Sequence, residues 1–185
     1  MNAWSLPQAA VIGGVTYPLH SDYRDILQII GYLTDPDRPE YLRWRIALAL
    51  FYEGEIPSGH LREAMEYLAD FLVCGEREEK PSPKLLDWEQ DAQIIVADVN
   101  KVAGMEIRAV PFLHWWTFLA YFHAIGEGQL LTLVGIRDKL AQGKKLEKWE
   151  QEYYHKHKNQ VVLKKRYSAE EIAEQERLKA LLDGR

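Results

Sequence analysis

Cysteine is almost missing: Cys74 is the single one in 185 residues. That excludes an internal disulfide framework and any multi-cysteine metal site, and it fits a reducing compartment. A glycine-rich phosphate cradle is also lacking, because Gly13-Gly14 has neither the further glycine nor the Lys-Ser/Thr pair that such a loop needs. The opening MNAWSLPQAAVIGG has no basic leader followed by a continuous apolar region, so a secretory signal is not expected. No low-complexity bias and no internal repeat is visible. The histidines make no ligand set. His155 and His157 are two apart and would diverge on a helix, and His114 and His123 stand nine apart without an acidic residue at ligand spacing. No metal, cofactor or catalytic residue is therefore assigned.

What is present is the composition of a folded soluble chain, 47% hydrophobic and 28% charged, with the length of one ordinary domain. The formal net charge of -5 is unevenly spread. Lys144 to Arg166 contains eight Lys/Arg and three Glu, or +5, which leaves -10 on the rest. A basic run of this kind attracts nucleic acid or an acidic protein surface, although a solvated helix face accounts for most such runs.

Two short β-prone runs flank Gly13-Gly14 in QAAVIGGVTYPLH, which predicts a small N-terminal hairpin. From Ser21 onward the spacing is helical. Ser21 is the expected N-cap of a helix carrying Tyr23, Ile26, Leu27 and Ile30 and ending near Thr34. A second helix is expected from Pro39 to Glu53, and a third after Ser58 as cap, with Leu61, Met65, Leu68 and Leu72 in one stripe. GEREEKPSPK, Gly75 to Lys84, reads as a loop. Trp88, Ala92, Ile95, Val99 and Val102 then form a seam, with Asp87 as N-cap and Gly104 as stop. Further helices are expected in GQLLTLVGIRDKLAQG and KKLEKWEQEYYHKHK, an extended connector in NQVVLKKRY, and a last helix opening on a Ser168/Glu171 capping box. The expectation is a mainly α bundle of six to eight helices with an N-terminal β-hairpin. Its parts are a hairpin appendage at 1–20, a helical core at 21–166 and a C-terminal helix at 167–185.

PFLHWWTFLAYFHAIG, Pro111 to Gly126, is the most aromatic segment. Its fourteen or so helical residues reach about 21 Å, short of the roughly 30 Å hydrocarbon core, so it does not span a membrane. Apolar almost all round, it reads as a central bundle helix whose indole N–H groups find partners; an aromatic ligand box or an exposed partner anchor are the alternatives. Asp87, Asp91 and Asp98 line a helix at one- and two-turn spacing. Acid/base chemistry there needs burial that this charged face does not suggest, so a solvated acidic face with one cap is expected. Cys74, beside Phe71, Leu72 and Val73, reads as a buried structural thiol.

Three stretches, DWEQDAQIIVADVNKVAGMEIR, HWWTFLAYFHAIGEG and IRDKLAQGKKLEKWEQEYYHKHKNQVVL, resemble the bacteriophage gene product fifteen family of siphophages and prophages of Gram-positive bacteria. They run from Asp87 to Leu163, and Trp88, His114-Trp115-Trp116, Ile136-Arg137 and Lys144-Lys145 carry the likeness. The resemblance implies a non-enzymatic tail assembly chaperone. Such a protein binds the phage tape measure protein and the major tail protein in the host bacterial cytoplasm and is absent from the mature virion. A tape measure exposes long apolar helical stripes, which a helical protein with weakly amphipathic segments can cover. Trp88, His114, Trp115, Trp116 and Phe118 are the expected core signature. Ile172, Leu178, Leu181, Leu182, Tyr153 and Tyr154 are the candidate partner contacts, for a tail protein or a second copy. The alternatives are a nucleic-acid adaptor using Lys144, Lys145, Lys164, Lys165 and Arg166, and a small enzyme using the Asp87, Asp91 and Asp98 face.

Overall fold

Two glycines set the first element. A computed structural model of the chain describes residues 4–75, 83–164, 167–168, 170–174 and 177. In it β1 (Ala9–Ile12) and β2 (Val15–Pro18) pair antiparallel, with Ile12 opposite Val15. The two residues between them, Gly13 and Gly14, have φ of 57° and 80°, the left-handed pair that a tight primed turn requires and that glycine adopts without steric cost. The elements that follow are α1 (Tyr23–Leu33), α2 (Glu40–Phe51), α3 (Leu61–Leu72), α4 (Ala92–Ala103), α5 (Trp115–His123), α6 (Gln129–Ala141), α7 (Lys148–Lys156) and α8 (Lys158–Val161). The chain is thus mainly helical with a two-stranded N-terminal hairpin. It divides into two compact units: one of residues 1–7, 21–24 and 69–164, the other of 8–20, 25–68 and 165–185.

In the second unit the hairpin is tied down on both edges. Beside β1, the Gly13 amide donates to the Glu63 carboxylate at 2.9 Å and the Tyr67 hydroxyl to the Ala9 carbonyl at 3.5 Å. Beyond β2, Glu53 N–H donates to Pro18 O and His20 N–H to Phe51 O, both at 2.9 Å. Such cover leaves little backbone for another strand to pair with. Ala10, Ile12, Leu19, Ala47, Phe51, Tyr52, Ala64 and Leu68 are buried. The Tyr52 hydroxyl reaches the Ala64 carbonyl at 2.9 Å, and burial holds its pKa well above the ordinary value. A cleft of about 660 Å³ beside Tyr52 is lined by Leu48, Ile56 and Leu61, with Arg45 and Glu55 among its polar residues.

In the first unit, residues 21–23 run alongside 113–115: Tyr23 N–H donates to Leu113 O and Trp115 N–H to Ser21 O. The cap of α1 is Asp22, not Ser21, because its carboxylate accepts from the Arg24 amide at 3.0 Å while also taking the Leu113 amide at 2.9 Å. Other boundaries move for similar local reasons. Ser58 opens a 3-10 turn ahead of α3 and makes no capping bond to that turn, for which Pro57 stands at the N-cap. α4 begins at Ala92, since Asp87 instead closes a separate turn by accepting from the Glu89 and Gln90 amides. The stretch expected as an extended connector starts with α8. α7 opens on a capping box between Glu147 and Glu150.

The turn glycines give a direct check. At Gly13 an added Cβ would lie 2.6 Å from the His60 ring, whereas at Gly14 it would meet nothing within 4 Å. Both substitutions to alanine carry the left-handed cost of about 1–2 kcal/mol. Gly13→Ala should lose more stability than Gly14→Ala in denaturant unfolding, by the work of displacing His60, and equal losses would show that the ring moves freely.

Candidate partner-binding surface

On the acidic face expected to be solvated, Asp87 and Asp91 are buried and Asp98 is partly exposed, and each of the three carboxylates has a structural partner. Asp91 is 1% exposed and pairs end-on with the two terminal nitrogens of Arg137, at 2.6 and 2.9 Å. The remaining guanidinium hydrogens go to the carbonyls of Leu85 (2.9 Å), Gln160 (2.6 Å) and Val161 (2.8 Å). Every N–H of the arginine is used. Asp91 further accepts the Asp87 amide at 2.9 Å. Asp87, also buried, pairs with Lys84 at 2.9 Å. Burial raises its pKa, but the Gln90 amide, the Lys84 ammonium and the Glu89 amide outweigh it and hold the carboxyl down at about 2. Asp98 accepts the Leu130 amide at 2.9 Å, at the first turn of α6. There an added Cβ on Gly128 would come within 2.7 Å of the carboxylate.

The aromatic signature is equally architectural. Trp115 and Trp116 are buried, and their indole N–H groups donate to Leu72 O at 3.0 Å and Phe71 O at 2.9 Å. Phe118 stacks on Tyr23 and Trp115, with ring centroids 4.9 and 5.5 Å away, and Trp88 meets Phe122 at 5.1 Å. His114 caps α5: its Nδ1 accepts the Trp116 amide at 3.1 Å while Nε2 lies 3.1 Å from Pro7 O. Those partners select the neutral tautomer with hydrogen on Nε2, and burial lowers the ring's pKa in the same sense.

The surface around α7 is what remains. Tyr153 and Tyr154 are half-buried and pack with Ile94 and Leu146 against Leu133, Ile136 and Val161. Lys144, Lys145 and Lys164 are exposed, as is Ile172 within a helical turn at 170–174. Leu178, Leu181, Leu182, Lys165 and Arg166 lie outside the described residues. The sequence reading passed over Trp149, which is 53% exposed and has its indole N–H held by Glu147 at 3.0 Å. Helical spacing does not single it out, because on the α7 wheel Trp149 falls next to Tyr153, at the border of the side shared by Glu150, Tyr153 and Tyr154. It also passed over Gln90, whose side chain donates to Val162 O at 3.0 Å and accepts the Lys164 amide at 2.9 Å. Gln90 and Arg137 together strap residues 160–164 to the unit. Among the described residues there is no group of three His, Cys, Asp or Glu able to hold a metal, and no helix long and apolar enough to cross a membrane.

A family model described as Bacteriophage Gp15 protein matches residues 5–163. The chain belongs to this family, which points to a phage structural or assembly protein. No curated protein and no solved structure matches it.

The buried pair predicts an asymmetry. Arg137→Met leaves Asp91 and three carbonyls without their donor and should cost about 3–5 kcal/mol in chemical unfolding. Adding Asp91→Leu should return part of that loss; a double variant worse than the single would mean the pair itself is strongly net stabilising. Asp87 predicts an acid dependence. Its folded pKa is depressed, so its stabilisation is present above the unfolded value, 3.8, and is lost as pH falls toward about 2. Asp87→Asn should flatten the melting temperature of the protein against pH across that window, and a profile parallel to the parent's would refute the assignment.

Proposed function

We propose that this member of the Bacteriophage Gp15 family is a non-enzymatic tail assembly chaperone that binds the tape measure protein and major tail protein subunits in the host bacterial cytoplasm and leaves before the virion is complete. The observation that carries the reading is the family match over residues 5–163. The distribution of side chains supports it. The carboxylates that might have served a reaction are engaged in holding the helices, while Leu131, Leu140, Trp149, Val162 and Ile172 remain exposed. Exposed apolar side chains rimmed by charge suit contact with amphipathic helices, the form a tape measure takes. Within the C-terminal segment, Ile172 with Leu178, Leu181 and Leu182 forms the proposed apolar contact. Tyr153 and Tyr154 contribute less directly, through their half-buried packing under α7.

Co-expression with the tape measure protein of the same phage tests the reading. The full chain should keep the tape measure soluble and co-purify with it. Leu178→Ser, Leu181→Ser and Leu182→Ser together should abolish co-purification while the melting temperature stays within about 2 °C. A tape measure that is equally insoluble with and without the chain would end the proposal.

A further inference from the structure

The outward face of α7 has positive charge without a partner. On this nine-residue helix, Lys148, Trp149, Glu152, His155 and Lys156 are exposed and fall on one side at 100° per residue, opposite the buried Glu150. Lys144 and Lys145 precede the helix and Lys158 follows it, all exposed. None of these five lysine side chains has an ion pair or hydrogen bond among the described residues. The nearby acids are committed elsewhere: Glu150 binds Lys139 at 2.6 Å, and Glu147 closes the capping box and holds the Trp149 indole. Glu152, and Glu147 with a charge that its neutral donors do not cancel, are left to offset the five lysines. The indole is thereby fixed in one orientation amid the lysines, the arrangement of an interface anchor with a charged rim.

Complementary charge lies in the same sequence. Ser168 to Glu176 contains Glu170, Glu171, Glu174 and Glu176 and no basic residue. Its first turn is preformed: the Glu171 carboxylate accepts the Ser168 amide at 2.8 Å, and the Ser168 hydroxyl accepts the Glu171 amide at 3.1 Å. Glu170, Glu171, Glu174 and Ile172 are all exposed. The chain is anchored at Lys164 by Gln90, so Ser168 stands at most about 14 Å of extended chain from that clamp.

We propose that the Lys148, Trp149, Lys156 face of α7 receives the acidic segment 168–176 of a second copy. Two-fold symmetry then makes each molecule both donor and acceptor, so each charge pair counts twice. A nucleic acid suits the face less well, since Glu147 and Glu152 interrupt the cationic surface and would repel a phosphate chain.

Sedimentation of the full chain alone, with no tail protein present, tests this independently of the chaperone reading. The mass should rise with protein concentration from one chain to two, and the association should weaken with added salt. Lys148→Glu with Lys156→Glu should weaken dimerisation by about tenfold or more, the effect of losing two exposed pairs on each half. Glu170→Lys with Glu174→Lys should do the same, and the four changes combined should restore association. Trp149→Ala should weaken it without altering the melting temperature. A chain that stays monomeric throughout, or a dimer indifferent to these reversals, overturns the proposal. So does a monomer whose affinity for duplex DNA is lost on Lys148→Glu with Lys156→Glu, which would assign the face to nucleic acid.

Discussion

The Arg137–Asp91 pair is the constraint on which the larger unit depends. A charge in a water-free interior is tolerated only where its hydrogen-bonding groups are satisfied, and here satisfaction requires four pieces of chain to be in register. The loop before α4 supplies Leu85, the start of α4 supplies Asp91, α6 supplies Arg137, and the end of α8 supplies the Gln160 and Val161 carbonyls. Moving any one of them by an ångström leaves a buried donor or acceptor without its partner. The apolar contacts among Leu133, Ile136 and Val161 contribute burial, yet they are non-directional and would accept small slides between helices. The arginine removes that freedom. Gln90, next to Asp91 in sequence, extends the same strap to Val162 and Lys164.

Much of this architecture could be read from the sequence where the cause was local. Gly13-Gly14 between β-prone runs gave the hairpin because the turn's φ angles are a property of two residues. The Ser168/Glu171 box was legible for the same reason, and both of its hydrogen bonds are present. The all-round apolar character of Pro111 to Gly126 placed it inside, and its indoles do find carbonyl partners. Non-local causes were not legible. An aspartate on a charged stretch looks solvated until the arginine 46 residues away is brought to it, and periodicity carries no information about that pairing. Asp22 displaced Ser21 as a cap because it also binds the Leu113 amide 91 residues on. Trp149 was obscured by composition: a helix rich in Lys and Glu reads as polar all round, and only the inward packing of Tyr153 and Tyr154 shows which side the tryptophan is left on.

Apart from Lys144 and Lys145, which are exposed, the residues that make the sequence resemble its family hold the fold. Trp88, His114, Trp115, Trp116 and Arg137 are each occupied by ring contacts or by hydrogen bonds to carbonyls and carboxylates within the unit. A side chain so committed has no remaining face for a partner. The likeness thus identifies a scaffold, and the surface that gives the scaffold its use must be sought among residues that packing leaves free: Trp149, the lysines around it and the acidic turn beyond Ser168.

His114 shows how little latitude the scaffold allows. Its ring is the first turn's acceptor and the N-terminal segment's donor at once, toward Trp116 and Pro7 respectively. One neutral tautomer satisfies both; the other presents hydrogen to an amide N–H and a lone pair to a carbonyl, and the protonated ring loses the cap. Neither asparagine nor glutamine spans two such partners with the same rigid separation, because their polar atoms share one carbon. The imidazole was thus recruited for geometry, with burial keeping it uncharged. A histidine held in this way is unavailable for proton transfer or metal binding.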